Sequence, residues 1–569
     1  MSLYNDWLSR ELDDPDLTKE LKDIAGDEAA IFDRFRCQLE FGTGGLRGLI
    51  GAGTNRMNVY TVGIATQGLA NCLIKENKNG KSLSVAIAYD SRNKGELFTR
   101  RAASILAANG IKVYVYSELA PTPALSFAVR YYGCDAGICV TASHNPAVYN
   151  GYKVYGSDGC QLGPALADVI LSEISKTDMF EGVKLTDYDK AVKDGMIVLV
   201  DDEVFDAFLK EVKKESLLTD DVRNGEKLKV VYTPLNGAGR RCVTTVLASE
   251  PCFDVTVVKE QEMPNGNFPT CPYPNPENPE AIKLALELCE KLDADLMVAT
   301  DPDCDRCRCA AKGKDGYVAL SGNEAGILLL DYIAKRKTEL GRMPKKAPVA
   351  VTTIVSTGMV DGIAEDYGME MRRVLTGFKY IGEQIALLEA EGETERYFFG
   401  FEESCGYLSG PYVRDKDGVN ATLLMCEMAL YYKRKGLTLL DVLDQLRKKH
   451  GYYKEGLLNF AFEGAEGAVK MKQIIEDLRN CPPKTLAGSK VVSVKDYHKA
   501  GLREGEYNDI TGLPDSNVLE FVAENKAKVI VRPSGTEPKM KAYLSVVGKT
   551  EADAAEALEI LKNDEALKL

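Results

Sequence analysis

Residues 136–146 read Ala136-Gly137-Ile138-Cys139-Val140-Thr141-Ala142-Ser143-His144-Asn145-Pro146. Five small or apolar residues form a buried strand. The chain then turns into a loop carrying hydroxyls, an imidazole and an amide, and Pro146 stops the strand from continuing. Upstream, Ser84 to Ala88 reads as a strand, Glu96 to Asn109 as a helix and Lys112 to Tyr116 as a strand, with a further helix after Pro123. Strand, helix, strand, helix, strand and polar loop make one unit, and the unit recurs twice. The second copy runs from Lys229 to Tyr232, through a Gly237/Gly239 turn, to the strand Asp295 to Ala299 and the loop Asp301-Pro302-Asp303-Cys304-Asp305-Arg306. The third runs from Val349 to Ile354, through helices around Met359 to Tyr367 and Ile381 to Ala390, to the strand Tyr397 to Gly400 and the loop Phe401-Glu402-Glu403-Ser404-Cys405-Gly406. This alternation predicts an α/β fold with mostly parallel sheets and helices on both faces, where ligands gather at the carboxyl ends of strands. All three polar loops stand at such ends. After about Lys449 the pattern becomes a helix followed by alternating strands, and Val529 to Val531 leads into Arg532-Pro533-Ser534-Gly535-Thr536; this is read as a smaller α+β domain. Turn punctuation divides the chain into 1–205, 206–321, 322–448 and 449–569.

A chain of 569 residues is long enough for several domains, and 45% hydrophobic with 27% charged residues is ordinary globular composition. No window approaches the ~20 apolar residues of a membrane span, and the start Met1-Ser2-Leu3-Tyr4-Asn5-Asp6 lacks a secretory pattern, so a cytoplasmic protein is expected. The 15 cysteines, odd in number and without a repeating frame, read as free thiols. A net charge of -14 opposes nonspecific binding to nucleic acid or anionic membranes, while a local positive cleft can still hold an anionic small molecule.

Ser143 directly follows a buried strand and can serve as a nucleophile or phosphate carrier. A hydrolase triad is disfavoured, because G-x-S-x-G is absent and His144 adjoins the serine in sequence. Asp301, Asp303 and Asp305 bring up to three hard oxygen ligands toward one point, suited to Mg²⁺. They do not form a calcium loop, since Arg306 and Lys312 stand where that loop needs Gly and Glu. Cys304, Cys307 and Cys309 lack the second pair of a zinc site, and the last two share one strand face, so they read as buried thiols. Arg532, Ser534, Gly535 and Thr536 combine a guanidinium, two hydroxyls and a tight backbone, the ingredients of a phosphate nest. Phe41-Gly42-Thr43-Gly44-Gly45-Leu46-Arg47-Gly48 fails as a dinucleotide fingerprint, having the wrong spacing and no clear strand before it.

Together these loops resemble the α-D-phosphohexomutase superfamily over nearly the whole chain, with all four motifs in family order. Gly44-Gly45-Leu46-Arg47-Gly48, Pro274-Asn275-Pro276-Glu277 and Thr376-Gly377-Phe378-Lys379 also look familial. Chain length and Glu402-Glu403-Ser404-Cys405-Gly406-Tyr407 resemble the phosphoglucomutase and phosphopentomutase branch; other members carry Gly-Glu-Met-Ser-Gly-His there, and this loop has no histidine. The resemblance implies three similar mixed α/β domains and a fourth, α+β domain of helix-grip type around a central cleft. It also implies a phosphosugar mutase that carries phosphate on Ser143, with Mg²⁺ held by Ser143, Asp301, Asp303 and Asp305, and a sugar 1,6-bisphosphate as intermediate and activator. His144, Lys153 and Arg47 would surround the carrier, with Lys153 preferred as proton shuttle because Arg47 is too basic. Arg306, Lys379, Glu402 and Ser404 would contact the sugar, and Arg532, Ser534, Gly535 and Thr536 the distal phosphate. Glucose is the expected sugar, with a pentose phosphate or a catalytically silent sugar-phosphate-binding protein as alternatives. A monomer or homodimer is expected.

Overall fold

In the computed structural model, residues 2–42, 44–462, 464–498, 507–508, 511–533 and 539–567 are described. Strand Ser84–Tyr89 pairs in parallel with Lys112–Tyr116 on one side and with Ala136–Val140 on the other, and Ala136–Val140 pairs antiparallel with Tyr149–Gly156. The same spatial order, second strand, first, third, fourth, recurs as Phe253–Val257, Leu228–Thr233, Leu296–Thr300 and Cys307–Gly313. It recurs again as Glu370–Val374, Val349–Thr353, Tyr397–Glu402 and Gly406–Leu408. In every copy the polar loop joins the third parallel strand to its antiparallel neighbour. The backbone must reverse there, and the sheet exposes no side chain beyond the strand end, so these loops can face a common cleft.

The first sheet extends to seven strands, with Phe41–Gly42 and Gly45–Leu49 at one edge and Ile197–Val200 at the other. Among the described residues no strand precedes the glycine-rich run, but the run is itself a strand pair. Gly45, at φ 144°, lies so close to Tyr149–Gly156 that a Cβ would stand 1.9 Å from the Tyr152 carbonyl oxygen. Glycine is needed for the close approach, and its low strand propensity hides the element from a pattern reading.

The C-terminal unit is a six-stranded antiparallel sheet in the order Tyr452–Ala461, Lys539–Gly548, Lys528–Pro533, Leu519–Ala523, Ser489–Asp496, Thr485–Leu486. Helices Gly464–Asn480 and Glu551–Lys562 pack on the apolar side, where Met471, Ile475, Leu558 and Leu561 meet Val529, Val531 and Leu544. It opens on a strand, not on the expected helix. Helix Leu439–His450 ends at Gly451 (φ 102°), and the half-exposed residues of Tyr452–Ala461 show little apolar alternation. Helix Asp202–Lys214 spans the division drawn at 205, and Leu439–His450 that at 448.

One apolar core runs through the first three units and includes Cys304, Cys307 and Cys309, each fully buried. All 15 cysteines are free thiols. Among the described residues no helix is long and apolar enough to cross a membrane. The almost wholly buried helix Gly418–Arg434 lies in this core, started by the Asp417 carboxylate, which accepts from the amides of Val419 (2.8 Å) and Asn420 (3.1 Å). Its Gly418 amide donates to the Cys304 carbonyl at 3.0 Å, fixing the third unit against the aspartate loop of the second.

Candidate active site

Ser143 adopts φ 53°, and Cys304 (φ 50°) and Cys405 (φ 63°) hold the same left-handed conformation in the other two loops. Non-glycine residues rarely sit there, and in each loop the left-handed residue turns the chain back into the antiparallel strand. In the first loop the result is a buried serine whose hydroxyl donates to Asp301 Oδ2 at 2.8 Å and lies 3.2 Å from His144 Nδ1. Residues 158 positions apart thus meet across two sheets. His144 is neutral: burial, with Arg306 and Arg47 nearby, lowers its pKa to about 3.

Asp301, Asp303 and Asp305 are all buried, and one carboxylate oxygen from each lies within 4.8 Å of the others. Asp301 Oδ1 accepts from the amides of Asp305 (3.2 Å) and Arg306 (3.0 Å), which shapes the loop. Asp303 Oδ2 accepts from Lys153 Nζ (2.7 Å) and from the Thr122 hydroxyl (3.0 Å), and Asp305 Oδ2 faces Lys416 Nζ at 2.9 Å and Lys153 Nζ at 3.4 Å. Burial pushes all three carboxyls up. Lys153 and Lys416 reverse this for Asp303 and Asp305, whereas Asp301, repelled by the other two, stays well above the usual range. Asp303 Oδ1 and Asp305 Oδ1 are buried without a hydrogen-bond partner. Unpartnered buried carboxylate oxygens are costly, and a small dication of oxygen preference is the group that these two carboxylates, with Asp301 and a serine oxygen, fit.

Gly45 pairs with Lys153 and Arg47 with Gly151, so Arg47 and Lys153 project from the same face of adjacent strands, beside the serine loop. A Cβ on Gly151 would stand 2.4 Å from the Thr141 carbonyl, so the serine loop is pressed directly onto this strand. Burial opposes the Lys153 charge, but Asp303 and Asp305 outweigh it and hold its pKa above the ordinary value. Arg306 turns toward Glu277 (3.4 Å) and Asp305 (3.9 Å). In the third loop Glu402 is buried and accepts from the Ser404 hydroxyl at 2.9 Å. Glu403 accepts from Thr353 (2.9 Å), and burial beside Glu402 raises its pKa to about 7.

Sequence reasoning missed four positioning residues: Asp90, Arg92, Thr122 and Lys416. Asp90 and Arg92, at the carboxyl end of Ser84–Tyr89, are fully buried; Arg92 donates to the carbonyls of Ser143 (2.6 Å), Pro146 (2.9 Å) and Tyr149 (3.0 Å). Asp90 accepts from Thr141 at 2.6 Å, and Thr141 in turn accepts from the Ser143 amide at 2.8 Å. Thr122, at the start of helix Thr122–Tyr132, and Lys416 brace the aspartates from the first and third units. A charged pair closing a strand is visible in Tyr89-Asp90-Ser91-Arg92, but the loop it holds is not. We expect Arg92→Lys, which keeps the charge but cannot reach several carbonyls at once, to lower kcat about 10²-fold with little change in KM, as a misplaced reacting group does. Steady-state kinetics on a variant with unchanged circular dichroism checks this; wild-type kcat would remove Arg92 from the positioning role.

Models of the phosphoglucomutase/phosphomannomutase alpha/beta/alpha domains I, II and III match residues 38–181, 206–314 and 321–450. The chain belongs to the phosphoglucomutase/phosphomannomutase family. It is 36% identical over 512 residues to a phosphoglucomutase from Staphylococcus epidermidis, covering 89% of this chain and 90% of that protein. It is 33% identical over 587 aligned positions to a probable phosphoribomutase from Schizosaccharomyces pombe, covering 99% and 97%. The fold is similar to that of a phosphoglucomutase, parafusin, from Paramecium in an open form (TM-score 0.68, 19% identity, 92% of this chain and 95% of that one). It is also similar to a putative phosphomannomutase from Thermus thermophilus (TM-score 0.66, 20% identity, 93% and 100%). The family makes this protein a phosphosugar mutase, an isomerase that relocates a phosphoryl group within its substrate.

In this phosphosugar mutase, Lys379 lies in the first turn of helix Phe378–Ala390 with its amine 5.1 Å from the Tyr380 ring centroid. Arg532, on strand Lys528–Pro533, is near enough to Tyr380 and Tyr543 for its charge to act on both phenols, which brings the third and fourth units together. Ser534, Gly535 and Thr536 lie outside the described residues.

Proposed function

We propose that the protein interconverts glucose 1-phosphate and glucose 6-phosphate through a Ser143 phosphoenzyme and a glucose 1,6-bisphosphate, which also serves as activator. The observation that carries this reading is the 2.8 Å approach of Ser143 Oγ to Asp301 within three buried carboxylates, two of which keep an unpartnered oxygen. Asp301, Asp303 and Asp305, with the serine oxygen, would hold Mg²⁺. Bound there, Mg²⁺ supplies charge neutralisation for the transferring phosphoryl group. Arg47 and Arg306 add positive charge where the phosphoryl oxygens pass. His144, neutral beside Ser143, can accept a hydrogen bond without carrying charge into the site.

In each transfer the bond from phosphorus to Ser143 Oγ breaks as a bond to a sugar hydroxyl oxygen forms, and the hydroxyl proton must leave. We assign that proton to Lys153. Burial and the neighbouring Lys416 charge favour its neutral form while Asp303 and Asp305 favour the charged one, so the amine can take up the hydroxyl proton and return it in the reverse transfer. After the bisphosphate turns over, the reverse transfer returns the other phosphate to Ser143. Lys379, Glu402 and Ser404 would orient sugar hydroxyls, the Glu402–Ser404 bond presetting the loop. Arg532, with Ser534, Gly535 and Thr536, would hold the non-reacting phosphate.

Because either end of the substrate must face Ser143, one distal site serves both phosphates. Arg532→Ala should raise KM for glucose 1-phosphate and glucose 6-phosphate alike, by roughly 10- to 150-fold for a charge-assisted contact of about 1.5 to 3 kcal/mol. Kinetics in both directions test this, and a variant impaired toward one isomer only would refute the shared site. A second reading, pentose phosphates as substrates, is favoured by the 99% coverage in the match to the probable phosphoribomutase. Comparison of kcat/KM for glucose, mannose, glucosamine and ribose 1-phosphates decides between them: glucose is expected to give the highest value.

A further inference from the structure

The third and fourth units do not close tightly behind the sugar loop. Between them lies a cavity of about 380 Å³ bordered by Asp361, Arg373, Lys495, Glu520, Lys526 and Lys528, within the size range of small-molecule sites. Four cations meet two carboxylates there, in a chain whose net charge is -14, so the positive excess is local. Arg373 is drawn to Asp361 (2.9 Å) and Lys495 to Glu520 (3.1 Å), which accounts for both acids. Lys528 instead donates to a backbone carbonyl, that of Ile354, at 3.0 Å. Burial first, and then the neighbouring Arg373 charge, lower its pKa to about 8, against the pull of Glu520, Glu455 and Asp361, and among the described residues the amine has no carboxylate bonded to it. Hydroxyl-bearing Tyr453, Tyr497, Thr511 and Ser545 complete the wall.

We infer that this junction cavity is a second anion site, separate from the catalytic cleft, that takes a small phosphate-bearing polyanion. Lys528 pairs with Ser545 and Arg532 with Lys541 along the same two strands, so the cavity and the distal-phosphate arginine stand four residues, about 13 Å, apart on one strand. Lys528, Ile530 and Arg532 alternate onto one side of that strand, and Ile530 packs with Ile354, Val355 and Leu375 of the third unit between the two cations. An anion in the cavity would bridge Arg373 of the third unit to Lys528 and Lys526 of the fourth, offsetting the repulsion between Arg373 and Lys528. Thr353 separates the site from the sugar loop: its carbonyl accepts from Arg373 (3.4 Å) while its hydroxyl donates to Glu403 (2.9 Å).

Calorimetric titration of the full chain with inorganic pyrophosphate, without added metal, tests this and needs no turnover, so its outcome is independent of the substrate assignment. Wild type should bind two pyrophosphates per chain. Lys528→Met should lose one site while the other keeps its affinity, Lys528→Arg should retain both, and Arg532→Ala should weaken only the site that Lys528→Met preserves. Lys526→Gln, at an exposed position whose left-handed backbone (φ 65°) is no worse for glutamine than for lysine, should weaken the junction site about tenfold, which keeps the test open if Lys528→Met fails to fold. A single site in wild type, or a second site that persists unchanged in Lys526→Gln and Lys528→Met, would overturn the inference.

Discussion

Ser143→Ala is expected to lower mutase turnover by at least ~10³-fold, the scale seen when a covalent nucleophile is removed and only binding and electrostatic stabilisation remain. Among the described residues Ser143 Oγ is the hydroxyl aimed at Asp301, and the neighbouring Thr141 is committed to Asp90 and to the Ser143 amide. The fold should survive. Alanine gives up the hydroxyl's two hydrogen bonds, to Asp301 and His144, a loss of about 1 kcal/mol each, while the Arg92 clamp that sets the loop acts on carbonyls that remain. Sugar-phosphate KM should therefore change little compared with kcat. Coupled-assay kinetics together with a thermal melt check both halves, and a variant with near-wild-type turnover would show that the phosphoryl group travels by another residue.

The second large effect concerns the aspartates. Asp303→Asn preserves size but removes the charge that faces Lys153 (2.7 Å) and one of the two unpartnered buried oxygens. If Asp303 holds the metal as proposed, its removal costs more than the 10- to 100-fold typical of an outer partner, so we expect kcat to fall by about 10²-fold or more, and the Mg²⁺ concentration for half-activation to rise at least about tenfold. Lost metal affinity should also appear without turnover, as weaker Mn²⁺ binding in calorimetry. Substrate KM measured at saturating metal should stay within a few-fold, because the residues assigned to the sugar and the distal phosphate lie on other loops. A Mg²⁺ activation curve and a Mn²⁺ isotherm that overlay wild type would show that the metal, if required, binds elsewhere.

What could be read from the chain itself was periodic or local. Ala136–Val140, Leu296–Thr300 and Tyr397–Glu402 are apolar runs that end abruptly in polar loops, and the structure places those loops at equivalent ends of three sheets with one strand order. The buried state of Cys307 and Cys309 followed from their spacing along one strand face. The strand Gly45–Leu49 was hidden because glycine, needed for its close approach to Tyr152, is also the residue that most weakens a strand signal. Arg92, Thr122 and Lys416 were hidden for a different reason. Each acts on a loop distant in sequence, the Thr122 hydroxyl meeting Asp303 across 181 residues, and a contact across domains leaves no periodicity to read. The meeting of Ser143 with Asp301 likewise came from resemblance, not from spacing.

The most direct test of the account is to find the phosphoryl group on the protein. Wild type incubated with glucose 1,6-bisphosphate and Mg²⁺, then analysed by intact mass and peptide mapping, should carry one phosphate, on Ser143. Excess glucose 6-phosphate should strip it from the protein and place it in bisphosphate. A phosphate on another residue, or full turnover by a protein that never carries one, would contradict the mechanism.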